Sequence, residues 1–213
     1  MIVEHLSVGV LGCTCTLIGD ERSGEAVLID PGGEGERITA LVARHGLRVR
    51  HLFHTHAHID HVGATEALRR RYRARSALHR DDLPLALTLG EQAKFLRLAE
   101  VEQPSFDDWL VDADELRIGA GLLTALHTPG HTRGSMSFAL EVAGRYTIMT
   151  GDTLFAGGVG RWDIGGTSLA DIVRSIESKL LPYPDESILV PGHGPQSTIG
   201  RERRGNPYLM TRS

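Results

Sequence analysis

Cysteine is nearly missing from this chain: 213 residues contain only Cys13 and Cys15. Two positions apart on an extended strand, they face the same side, where an unstrained disulfide does not form. Both are expected as buried thiols of an apolar strand, and a sulfur-rich structural zinc site is excluded. Positive charge is also short, since 23 Lys and Arg against 27 Asp and Glu give a formal charge of −4. That balance argues against a protein that coats nucleic acid and for a small-molecule ligand. One basic run exists (Arg69, Arg70, Arg71, Arg73, Arg75), at the end of an expected helix, where a solvated face suited to the negative helix terminus is its ordinary meaning. No long apolar run appears, and the opening MIVEHLSVGV has no basic start and carries Glu4. Neither a secretory leader nor a membrane span is therefore expected, and the cytoplasm is the expected compartment. Repeats, low-complexity tracts and linkers are absent, and the length suits a single domain over 1–213.

What is present is a mixed α/β pattern. Strands are expected at VEHLSV, CTCTLIG, AVLID and VRHLF, with helices near 38–45 and 64–72. Residues 81–99 read as helix broken by Pro84 and Gly90, and QPSFDDW as an irregular loop. Further strands are expected at LLTALH, SMSFAL, RYTIM and SILV. Between the last two, Leu169, Ile172, Val173, Ile176 and Leu180 share one face of a helix over 167–181. Ser168 stands as its cap three residues before Asp171, and Pro182 ends it. A short polar tail is expected to close the chain. Two β-then-α halves of this kind stack most simply into one layered domain.

Polar ligands follow the strands. VRHLF runs into HTHAHIDH, which holds four of the chain's eleven histidines. LLTALH runs into TPGHT with His131, RYTIM into TGD with Asp152, and SILV into PGHGP with His193. Loops at one edge of a sheet are where sites are assembled, and imidazole with carboxylate suits zinc and similar divalent ions. Seven candidates (His56, His58, Asp60, His61, His131, Asp152, His193) exceed what one tetrahedral ion needs. Two ions sharing Asp152 as a bridge account for the surplus and would make a hydroxide nucleophile at neutral pH. His5, His45, His51, His79 and His127 fall outside the pattern.

THAHIDH, TPGHT, GDTLF and PGHGP, in that order, resemble the metallo-β-lactamase superfamily from Asp30 to His193. Within it the chain looks most like the glyoxalase II (hydroxyacylglutathione hydrolase) group, especially its short bacterial members. The resemblance implies a four-layer αββα sandwich. It also assigns His56, His58 and His131 to one ion and Asp60, His61 and His193 to a second, with Asp152 between them and Asp30 bracing a ligand loop from behind. Zinc is the expected metal, with iron or manganese as alternatives. The implied reaction is hydrolysis of a 2-hydroxyacyl thioester such as lactoylglutathione by a metal-bridging hydroxide, with Asp60 and Asp152 as the catalytic carboxylates. His54 lies outside the H-x-H-x-D-H register and is expected to close the strand or support the site from behind.

Two departures bear on substrate. Twenty residues (194–213) follow His193, too few for the C-terminal helical domain with which long glyoxalase II enzymes grip glutathione. After GDTLF comes AGGVGRWDIGG, where the long enzymes have a lysine and a tyrosine. Arg161 and Trp162 are the candidate substrate contacts here, with Arg161 equally readable as a partner of Asp163. GRWD resembles a stretch of persulfide dioxygenases, relatives with one iron held by two histidines and an aspartate. That activity, a lactonase and, at a distance, a nuclease of the same fold are the alternatives.

Overall fold

The computed structural model describes residues 1–163 and 167–210. By internal contacts the chain falls into two units, Met1–Leu110 with Ile118–Ala120, and Val111–Arg117 with the chain from Gly121 onward.

The first unit carries a six-stranded sheet in the order β1-β2-β3-β4-β5-β6: β1 (Ile2–Val8), β2 (Cys13–Gly19), β3 (Glu25–Ile29), β4 (Arg48–Phe53), β5 (Arg75–His79) and β6 (Asp108–Leu110). β1, β2 and β3 pair antiparallel, and β3 to β6 run parallel. Parallel neighbours need crossovers, which α1 (Gly35–Arg44) and then α2 (Ile59–Val62) with α3 (Thr65–Tyr72) supply. α4 (Leu83–Ala86) and α5 (Leu89–Leu96) follow β5. Ile38, Leu41 and Val42 of α1 and Leu68 of α3 bury against Leu17, Leu28, Val49 and Leu52 of the sheet. Both cysteines are free and lie in this core, as expected of small apolar groups.

In the second unit the sheet order is β14-β13-β10-β9-β8-β7: β7 (Glu115–Ile118), β8 (Gly121–His127), β9 (Met136–Val142), β10 (Arg145–Gly151), β13 (Ile188–Pro191) and β14 (Ser197–Thr198). β11 (Leu154–Phe155) and β12 (Gly158–Val159) form a separate hairpin. α6 (Leu169–Ser175) continues as a π-helical turn over Ile176–Leu180. Its start is a capping box, in which the Asp171 N–H donates to Ser168 Oγ (3.2 Å) and the Ser168 N–H to Asp171 Oδ2 (3.1 Å). Ile172, Val173, Ile176 and Leu180 pack with Leu126, Ile148, Leu189 and Ile199. Each such fully buried side chain contributes about 1.5–3 kcal/mol.

Two expectations need correction, and one strand, β5, lies where no element was expected. Asp108 and Trp109, read as loop, belong to the edge strand β6, because they pair with Leu78 and its neighbours on β5. β5 itself, RSALH, is too short and too interrupted by arginine and serine to read as a strand. The polar tail folds as β14 and α7 (Ile199–Gly205), whose start is capped by Thr198.

Three of the five arginines of the basic run, Arg69, Arg70 and Arg75, are paired with nearby carboxylates. Arg69 makes two hydrogen bonds to Asp107 (3.0 and 2.9 Å), Arg70 pairs with Glu102, and Arg75 Nε donates to Asp108 (2.7 Å). Among the described residues no helix is long and apolar enough to cross a membrane.

Candidate metal centre

In the first unit the ligand loop leaves the end of β4 and turns directly into α2. It lies on the segment that leaves β3, so closely that a Cβ on Gly32 would stand 1.4 Å from the Asp60 carbonyl oxygen, and one on Gly63 2.5 Å from that of Gly32. Only glycine permits this approach. Asp30, at φ +53° and 2% exposed, is the keystone. Its carboxylate accepts from the Thr55 N–H (2.7 Å), the Thr55 hydroxyl (2.7 Å) and His61 Nδ1 (2.9 Å). With its Nδ1 proton on Asp30, His61 turns a lone pair at Nε2 toward Asp60 Oδ2, 3.7 Å away. Thr55, its hydroxyl proton given to Asp30, accepts from His56 Nδ1 at 3.0 Å. His56 therefore presents Nε2, which lies 2.9 Å from His58 Nδ1. Ligand atoms on a tetrahedral zinc with bonds near 2.0 Å lie about 3.3 Å apart, so this pair is close to the spacing of two nitrogens on one ion.

His54 lies outside that set. It is wholly buried, and its Nδ1–H donates to the Ala77 carbonyl (2.9 Å) while Nε2 accepts from the Thr65 hydroxyl (2.8 Å). Both nitrogens are committed to joining β4, β5 and α3, and burial lowers its pKa.

The sequence reading missed three supports of this loop. Thr55 relays Asp30 to His56. Buried Asp82 accepts from the Ala57 N–H (3.0 Å), and Gln92 of α5 accepts from the Ile59 N–H (2.9 Å). Thr55 sits within the histidine motif and was findable there; Asp82 and Gln92 lie in the broken helical stretch, which carries no spacing signal. Cys13, besides lying in the core, places Sγ 3.5 Å from His61 Nδ1. Burial pushes its thiol up to about 11, so it stays protonated at neutral pH.

In the second unit three strand ends deliver the remaining candidates. His131 follows β8, Asp152 follows β10 and His193 follows β13. The His131 ring is oriented from behind: Nδ1–H donates to the Arg161 carbonyl at 2.7 Å, leaving Nε2 3.6 Å from Asp152 Oδ2. Oδ1, the other oxygen of the same carboxylate, faces His193 Nε2 at 3.7 Å. Both gaps are too long for direct hydrogen bonds and match an ion seated between the partners. Gly130 lets the loop before His131 lie against α6, since a Cβ there would stand 2.3 Å from Ile172 Cα. The Arg161 guanidinium is exposed and paired with Asp163 (3.1 and 3.0 Å), and Trp162 meets Tyr208 edge-on at 5.8 Å.

Each unit thus presents oxygen and nitrogen donors of the kind divalent ions take, with the tautomers of His56, His61 and His131 set by hydrogen bonds at Nδ1. The description Metallo-beta-lactamase superfamily matches residues 8–193. The chain belongs to that superfamily, whose members are generally metal-dependent hydrolytic enzymes. Hydroxyacylglutathione hydrolase GloC of Haemophilus influenzae is 35% identical over 215 residues, 100% of either chain. The mitochondrial persulfide dioxygenase ETHE1 of Bos taurus is 32% identical over 204 residues, 92% of this chain and 72% of that one. Among solved structures, BLEG-1 B3 metallo-β-lactamase aligns with a TM-score of 0.86 at 30% identity, covering 98% of this chain and 100% of its own. TTHA1623 in a di-iron-bound form aligns at 0.84 and 34%, covering 97% and 100%. The expected fold class, α/β of the metallo-β-lactamase type, is the fold of this chain.

Proposed function

We propose that the chain is a binuclear metallohydrolase that cleaves 2-hydroxyacyl thioesters of the lactoylglutathione class. The observation that carries the reading is the Asp152 carboxylate, whose two oxygens face two different histidines at 3.6 and 3.7 Å, the arrangement a bridging ligand needs. His56, His58 and His131 are the proposed ligands of one ion, and Asp60, His61 and His193 those of the other. Zinc is the proposed metal; the di-iron state of TTHA1623 supports iron as its alternative. The full-length similarity to GloC supports the thioester class.

Two divalent ions bound there would supply a hydroxide nucleophile at neutral pH and an electrophile for the carbonyl oxygen. The protein's share is preorganisation. Asp30 holds His61 directly and His56 through Thr55, and the Arg161 carbonyl holds His131, so the ligating nitrogens of these three histidines are oriented in advance. Asp60 is proposed to orient the attacking water, and Arg161 and Trp162 to contact the acyl or thiol portion. Water adds to the carbonyl carbon, the carbon–sulfur bond breaks, and the products are a 2-hydroxy acid and a thiol. Pairing of Arg69, Arg70 and Arg75 with acidic neighbours supports the expectation of no nucleic-acid partner.

The similarity to ETHE1 favours a second reading, a persulfide dioxygenase with one iron. Parallel assays separate the two: release of thiol from lactoylglutathione supports the hydrolase. Oxygen uptake on glutathione persulfide without thioester cleavage would establish the dioxygenase.

A further inference from the structure

Glu202 is 1% exposed, yet among the described residues the donors to its carboxylate are three uncharged groups. Oε2 accepts from the Gly157 N–H (2.8 Å) and from Asn206 Nδ2 (2.9 Å), and Oε1 accepts from the Ser197 hydroxyl. A carboxylate is kept from water only where such bonds replace its hydration. Asn206, also buried, uses the same amide to donate to the Gly158 carbonyl at 3.1 Å. Two side chains at the end of the chain thus hold the β11–β12 turn, 45 and 48 residues earlier in sequence.

That turn is the near end of the segment that backs two proposed ligands. Gly160 lies so tightly on the Asp152 loop that a Cβ would stand 1.8 Å from the Asp152 carbonyl oxygen and 3.2 Å from His131 Cβ. One residue further, the Arg161 carbonyl receives the His131 Nδ1 proton. If the turn shifted, both the orientation of His131 and the seat of Asp152 would shift with it.

We propose that Glu202, assisted by Asn206, is a positioning residue for the metal centre, acting through the 157–161 segment on His131 and Asp152. The proposal rests on the assignment of those two residues as ligands. A carboxylate suits the task because its two oxygens accept from three segments at once. Glutamine can keep all three links, with its carbonyl oxygen toward the two N–H groups and its NH2 toward the Ser197 hydroxyl, whereas alanine removes every acceptor.

The test is zinc affinity of the full chain by chelator competition, together with the visible spectrum of the cobalt-loaded protein, which reads coordination geometry. Glu202→Ala and Asn206→Ala are expected to weaken zinc about 10-fold or more and to change the cobalt absorption. Leu41→Ala, in a core cluster that contains no residue of the 154–161 segment, is expected to lower thermal stability and leave both readouts at wild-type values. Wild-type affinity and spectrum in Glu202→Ala and Asn206→Ala would overturn the proposal. So would equal zinc loss in Leu41→Ala, since it would reduce the effect to general destabilisation. Should Glu202→Ala not fold, Asn206→Ala decides alone. Wild-type zinc affinity in His131→Ala would overturn the ligand assignment instead, and this proposal with it.

Discussion

His54 and His56 stand two positions apart and are used in opposite ways. His54 spends both ring nitrogens on the Ala77 carbonyl and the Thr65 hydroxyl, so it has none to offer an ion. His56 sets Nδ1 against Thr55 and turns Nε2 to His58 Nδ1, 2.9 Å away, close to the spacing of two nitrogens on one ion. The His54→Ala protein is expected to keep its full metal content but to lose about 2 kcal/mol or more in urea unfolding, because two buried partners are orphaned. His56→Ala, which also removes a buried side chain bonded to Thr55, is expected to lose metal, the readout that separates it from His54→Ala. Metal content and urea midpoints on both variants check the distinction.

At the scale of elements, helix ends and strand edges carry the local instructions. The capping box at Ser168 sets where α6 begins, and Ser168→Ala should cost about 1 kcal/mol with no change in metal content. α3 is joined to Asp107, the residue before the edge strand β6, by an arginine–carboxylate pair that titrates. The hydrogen bonds from Arg69 hold Asp107 down to about 2. Since the folded pKa lies below the unfolded one, the stabilisation is complete above the ordinary carboxylate range and fades as pH falls toward 2. The pair is partly exposed, so Asp107→Asn should cost no more than about 1 kcal/mol at pH 7. Thermal melts of both proteins from pH 7 downward should show that difference narrowing with acid.

Over the whole molecule, the ligand-bearing loops were legible because strand periodicity and His/Asp residues coincide in sequence, as at Phe53–His61 and Met149–Asp152. Supports contributed from a distance were not. Asp82 reaches Ala57 across 25 positions and Glu202 reaches Gly157 across 45, and neither leaves a spacing pattern. Short edge strands failed for a related reason: β6 and β14 are strands through their pairing with a neighbour rather than through their own residues. Asp30 could be singled out only by resemblance, and its three hydrogen bonds now give a physical reason for that position.

Whether Asp152 bridges two ions that together perform hydrolysis, as proposed, is read from the metal-to-protein ratio of freshly purified chain, with lactoylglutathione cleavage followed on the same samples. Two equivalents and hydrolysis are expected in the wild type, and loss of both metal and activity in Asp152→Ala. A single equivalent in the active wild type, or an Asp152→Ala protein unchanged in metal content and rate, would contradict the proposal.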